Sequence, residues 1–200
     1  MASRLARVRA VWRRWLRLYV PVAAFILAAS TAVGFLLGSA VPVDALAAPD
    51  GGSNGVFPPL TTVDLAVNNL VAMAVLLLGA VSLGIVTILG LVLNGLVIGA
   101  VIGIALQQTT PLAVAVLILP HGVLEIPALL IAAAVGLRFA RLTVRYIRGL
   151  EEELLTRRDL REAGWLVAVS ALLIVVAAYI EANVTLELAK RVAGVELGMG

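Results

Sequence analysis

From Leu65 to Leu106 the chain runs 42 residues without a charged side chain. As a single helix rising 1.5 Å per residue, that stretch would reach about 63 Å, roughly twice the hydrocarbon thickness of a bilayer. It must fold back on itself as two membrane spans, and "GAVSLG" (79–84) supplies the turn. The rest of the chain has the same character. Apolar residues make up 62% and charged residues 14%, where soluble domains carry about a quarter, and mean hydropathy is +1.09. The 200 residues suffice for one helical bundle and exclude a second globular domain. There is no cysteine, which excludes disulfides and thiolate metal sites.

The remaining spans follow from where apolar runs meet turn formers. Span 1 is expected at about 18–40, and "PVDALAAPDGGSNGVFPPLTT" (42–62), with Asp44 and Asp50, reads as a loop. Spans 2 and 3 occupy about 63–81 and 84–106. Pro111 suits the first turn of span 4, expected at 111–137, and span 5 falls at 163–183. All five form one membrane domain over 18–185, followed by a tail at 186–200. The small residues of "ALAAPD" (45–50) resemble a signal-peptide cleavage site, but the first apolar run ends well before them, so a retained span is expected.

Charge placement sets the orientation. Six arginines (4, 7, 9, 13, 14 and 17) precede Leu18, and no Lys or Arg occurs from there to Leu137. Seven arginines (138, 141, 145, 148, 157, 158 and 161) then precede span 5. Under the positive-inside rule both clusters face the cytoplasm, which requires an even number of spans between them. Four fits, so the N-terminus is expected inside, and the 41–62 loop and the C-terminal tail outside, in the cell membrane. The same reading assigns the pI near 9.9 to topology and anionic lipid rather than to nucleic acid.

Residues 1–17 interleave arginines with Leu5, Val8, Trp12 and Trp15 at helical spacing. They predict a basic amphipathic helix at the interface with its tryptophans at headgroup depth. Residues 138–162 predict a charged connector helix. In it Arg138, Arg141, Arg145 and Arg148 form a stripe opposite Phe139, Leu142 and Tyr146, and Glu153–Arg157 and Arg158–Glu162 make i,i+4 pairs. Small residues recur at intervals of four: Gly95, Gly99 and Gly103 in span 3, Ser30, Gly34 and Gly38 in span 1, and Ala128, Ala132 and Gly136 in span 4. Such stripes let helix backbones approach closely, either inside one chain or across a homodimer.

Few polar side chains lie at membrane depth, and each is expensive there. Counting 1.5 Å per residue from Pro111 and from Gly84 puts His121, Glu125 and Asn94 at one midplane level, while Asn68, Asn69 and Glu181 form a shallower outer group. The segment "LPHGVLEIPALL" (119–130) sets the only histidine and Glu125 between two prolines. Pro120 and Pro127 withdraw donors from the carbonyls of Val116 and Val123, so span 4 is expected to break near Pro120. His121 and Glu125 then have three readings: partners for a helix kink, a proton or ion relay, or a metal site. The last has a thin ligand set of one histidine and one carboxylate, so no cofactor is expected.

Four short motifs occur in order: "NN" (68–69), "LNG" with a following glycine (Leu93, Asn94, Gly95, Gly99), "HG..E..A" (His121, Gly122, Glu125, Ala128) and "YIEANVT" (179–185). Over about 60–185 this set resembles the stage II sporulation protein M family. The resemblance implies a five-span helical membrane protein. From the family's founding bacterial member it implies a scaffold that localises cell-wall-remodelling enzymes during engulfment of the forespore.

The expected fold is thus an all-α integral membrane bundle. No HExxH, serine–lysine pair or phosphate loop is present. The leading expectation is a non-enzymatic scaffold or complex subunit whose candidate partners are the bilayer, other membrane or envelope proteins, and a second copy in a homodimer. A small proton- or ion-coupled transporter using Asn94, His121 and Glu125 is the alternative, and an intramembrane metal-dependent hydrolase the second.

Overall fold

The computed structural model describes residues 2–42 and 61–185. The expected loop with Asp44 and Asp50 and the tail 186–200 lie outside the described residues. Within them the chain is helical and contains no strand. Helix α1 (Ala2–Val11) runs into a π-helical turn (Trp12–Leu16), followed by α2 (Tyr19–Ser39), α3 (Thr62–Leu77), α4 (Ile85–Gln108), α5 (Pro111–Ile147) and α6 (Arg157–Ile180). A second π-helical turn, Glu181–Thr185, continues α6. Five helical segments are long and apolar enough to cross a membrane: Tyr19–Ala40, Thr62–Ala80, Ile85–Gln108, Pro111–Ile147 and Arg157–Val184.

Local chemistry explains where the helices start. Thr61 with Asp64, and Thr156 with Asp159, form reciprocal capping boxes that satisfy the first free amides of α3 and α6. Thr110 caps α5, and Pro111 occupies its first turn, where no donor is needed. Between α3 and α4 the chain reverses through a 3-10 turn at Leu78–Ala80 and two left-handed residues, Leu83 (φ 52°) and Gly84 (φ 90°). The Gly84 amide donates to the Gly79 carbonyl at 3.0 Å and closes the reversal.

Helices α2 and α4 pack along their glycines. A β-carbon on Gly99 would collide with the Thr31 carbonyl, and one on Gly103 would stand 2.6 Å from the Phe35 carbonyl. From the other side, a β-carbon on Gly34 or Gly38 would run into the carbonyl of Leu96 or Ala100. These small-residue faces are therefore occupied within the chain, and a homodimer through them would have to prise α2 from α4. Helix α5 is central. Its residues Ala132 to Gly136 are all buried, and it shares a core with Leu76, Leu91 and Ile174 from α3, α4 and α6.

Three features differ from the sequence reading. Helix α5 does not break near Pro120 but runs on through both prolines. Each proline removes one backbone rung, at Val116 and at Val123, while the rungs on either side persist and carry the helix past. Nor do residues 138–162 form a helix of their own. Arg138 to Ile147 belong to α5, which ends in a Schellman turn: Gly149 takes a φ of 67°, its amide bonds to Tyr146, and the Leu150 amide bonds to Arg145, both at 2.9 Å. Glu153 then lies in a non-helical stretch where the i,i+4 rule has no force, whereas Arg158–Glu162, inside α6, is made at 2.7 Å. Lastly, Trp15 does not face outward as a residue of a surface helix. It is fully buried against Phe139 and beneath the Arg138 guanidinium, because its indole N–H finds a carboxylate partner inside the protein; Trp12 alone stays half exposed.

Candidate intramembrane cluster and its supporting cap

His121 and Glu125 lie one turn apart on α5, stacked on one face by their spacing of four. Glu181, the first residue of the π-helical turn that ends α6, comes to the same place. One ligand-capable atom from each of the three residues lies within 4.8 Å of the other two. All three side chains are half-buried, and the His121 Nδ1 atom is buried without a hydrogen-bond partner. Fully buried small residues, Ala128 and Ala132 on α5 and Ala177 and Ala178 on α6, line the helices that bring the groups together.

The grouping differs from the one expected from depth. Counting from Pro111 treated that residue as the membrane edge, but α5 has 37 residues and a length of about 55 Å, well beyond the hydrocarbon thickness. His121 is therefore level with Glu181, toward the end of the bundle opposite the arginines. Asn94 is not drawn in by hydrogen bonding: its amide donates to the Gly90 carbonyl of its own helix at 2.8 Å. Asn68 is exposed and donates to Asn69 at 3.3 Å. The tie between α3 and the end of α6 is made instead by Asn183, whose amide donates to the Thr62 hydroxyl at 3.4 Å and to the Tyr179 carbonyl at 2.8 Å. The sequence signal for Glu181 was present, as a lone acid at the end of an uncharged run, but linear depth misplaced its partners.

Electrostatically the cluster is exposed to its own charge. No Lys or Arg occurs between Leu18 and Leu137 or between Glu162 and Ala189, and no ion pair reaches Glu125 or Glu181 among the described residues. Two carboxylates this close in a low-dielectric setting need a proton or a cation between them.

At the arginine-rich end a second constellation holds the N-terminal segment in place. Arg14 pairs with Asp159 at 2.7 Å and with Glu162 at 3.3 Å, and Arg138 pairs with Asp159 at 3.3 Å. The Arg138 guanidinium also donates to the Arg14 carbonyl at 2.7 Å and stacks on Trp15, whose indole N–H donates to Glu162 at 2.8 Å. Both carboxylates belong to the charged opening of α6, ahead of the apolar stretch that starts at Ala163. Burial alone would raise the Asp159 pKa, but hydrogen bonds from Thr156 and Arg138 and the charge of Arg14 outweigh it and hold the carboxyl below its ordinary value. Glu162 is likewise lowered: burial is overcome by hydrogen bonds from Arg158 and Trp15 and by the charges of Arg14 and Arg158. Sequence reasoning missed this network, since Arg14 and Trp15 read as surface residues of an interfacial helix.

The family model described as stage II sporulation protein M matches residues 22–186. The chain belongs to that family. An uncharacterized protein of Methanocaldococcus jannaschii is similar, 35% identical over 134 residues that cover 66% of this chain and 72% of the relative. No solved structure matches the chain. The short motifs now have places in this member of the family. The glycines of "LNG" and Gly99 make the close contact with α2, while "HG..E..A" and "YIEANVT" converge on His121, Glu125 and Glu181.

Proposed function

We propose that this stage II sporulation protein M family member is a non-enzymatic scaffold or subunit of a membrane complex. In this reading its arginine-rich end faces the cytoplasm, its C-terminus lies outside, and it recruits other membrane or envelope proteins. The observation that carries the reading is the clamp of Arg14, Trp15, Arg138, Asp159 and Glu162. The clamp fixes the N-terminal segment against α5 and α6 while Arg148, Arg157 and Arg161 remain exposed beside it. A recruiting surface benefits from such rigidity, because little ordering entropy is left to lose on binding. The founding member's role in localising cell-wall-remodelling enzymes points the same way. The transporter alternative has less support, since it asked Asn94 to join His121 and Glu125, and the Asn94 amide is engaged on Gly90.

The test is affinity purification of the full chain in a gentle detergent, with mass spectrometry of co-purifying proteins. A stoichiometric membrane or envelope partner is expected. It should be lost from the triple variant Arg148→Gln, Arg157→Gln, Arg161→Gln, which leaves the clamp intact. Recovery of this chain alone, or of the same partner with the triple variant, would overturn the proposal.

A further inference from the structure

We infer that His121, Glu125 and Glu181 form a binding site for a single divalent cation of borderline softness, Zn2+ before Mn2+, which ties α5 to the end of α6. The inference is independent of the scaffold reading, since a cation can brace helices in a protein of any function.

Three observations support the site. The first is the donor set. One imidazole and two carboxylates supply three ligands from two elements, with donor atoms within 4.8 Å of one another. Around a Zn2+ ion with bonds of about 2.0–2.1 Å, tetrahedral neighbours stand about 3.4 Å apart, so side-chain rotation of little more than an ångström closes the site. The second is the His121 Nδ1 atom, buried and without a hydrogen-bond partner. A buried polar nitrogen left unpaired is costly unless something occupies its lone pair or takes its proton. The third is the π-helical turn at Glu181–Thr185. A π turn widens the helix by a residue and is found disproportionately at functional sites; here its first residue is the third ligand.

Charge selects a dication over a monocation. Two ionised carboxylates leave two negative charges in a region that the sequence keeps free of Lys and Arg, and a divalent ion cancels both. The nitrogen ligand favours Zn2+ over Mg2+ or Ca2+, which prefer all-oxygen shells. With three protein ligands, water would complete a tetrahedral shell.

The test uses the tag-free full-length chain in detergent, stripped with chelator and titrated with ZnCl2 and, separately, MnCl2. One Zn2+ per chain is expected, bound more tightly than Mn2+, with a rise in melting temperature. Glu125→Gln, Glu181→Gln and His121→Ala should each weaken Zn2+ binding by about 100-fold or more, whereas Asn68→Ala should bind as wild type. The chain's only histidine gives a second readout that needs no variant: imidazole-15N NMR should show one pair of nitrogen signals shifting in proportion to bound Zn2+. Failure of the folded wild-type chain to bind Zn2+ would overturn the inference in favour of a shared proton. So would bound Zn2+ that leaves the imidazole signals unmoved, or full binding retained by all three variants, which would mark the metal as adventitious.

Discussion

Arg14 and Asp159, separated by 145 positions in the chain, meet at 2.7 Å. Asp159 is 6% exposed at its side chain and simultaneously caps α6, pairs with Arg138 and anchors the N-terminal segment. One carboxylate thus fixes how three elements meet.

Removing it should be expensive. Asp159→Ala leaves two guanidinium groups without their shared partner and removes the N3 half of the capping box, and loss of one member of a buried pair costs about 3–5 kcal/mol. Arg161→Ala, a change at an exposed neighbour on the same helix, should stay within about 0.5 kcal/mol. Thermal melts of both variants in one detergent check the difference, and equal melting temperatures would refute the anchoring role.

The same carboxylates predict an acid-labile clamp. Folded Asp159 and Glu162 both titrate below their ordinary values, so the unfolded chain takes up protons more readily than the folded one. Their contribution is therefore fully present above the ordinary carboxylate range near 4 and is lost as pH falls from there through their lowered folded values. The clamp's contribution, read as the difference in melting temperature between wild type and an Asp159→Asn, Glu162→Gln variant, should be flat from about pH 7 to pH 5 and shrink below about pH 4. That variant should start lower and show a shallower drop, whereas a drop of unchanged size would assign the acid sensitivity elsewhere.

The architecture was legible because its causes are local. An uncharged run twice the bilayer thickness has to turn, and Gly79 and Gly84 mark where; Pro111 announces the start of α5, whereas the Thr156–Asp159 capping box, inside what read as one connector helix, went unread. What else was not legible depends on contacts between distant segments. Trp15 carries the same residue type that anchors helices at membrane surfaces, and only the position of Glu162 turns it inward. His121 and Glu181 were assigned different depths because counting residues measures distance along one helix, not how far that helix projects past the membrane.

The contact between α2 and α4 allows a clean substitution test. A leucine at Gly99 must displace the backbone at Thr31 and Phe35, not merely flexible side chains. The expected cost is about 3 kcal/mol or more, the upper end for overpacking. Val97→Leu, two residues away on a face that is 62% exposed, should change stability by less than about 0.5 kcal/mol. Melting of the two variants in detergent, side by side, reads the difference; similar behaviour would mean that α2 and α4 do not depend on this close approach.

Orientation can be read with single cysteines, because the chain contains none to give background. By the positive-inside rule, the arginine clusters on either side of the interval from Leu18 to Leu137 predict that residues 41–62 and the stretch 150–156 lie on opposite faces of the membrane. Ser53→Cys should react with a membrane-impermeant maleimide in intact cells. Glu153→Cys, exposed and clear of the Thr156 cap, should react only after the membrane is permeabilised. Both sites must be checked after permeabilisation, so that a silent cysteine is not mistaken for a protected one. Labelling of Glu153→Cys in intact cells, with Ser53→Cys silent until permeabilisation, would invert the protein and place the Arg14–Asp159 clamp outside. The scaffold proposal would then have to recruit its partners from the other side of the membrane. Labelling of both in intact cells would mean that an even number of spans separates them, which is incompatible with α3, α4 and α5 all crossing.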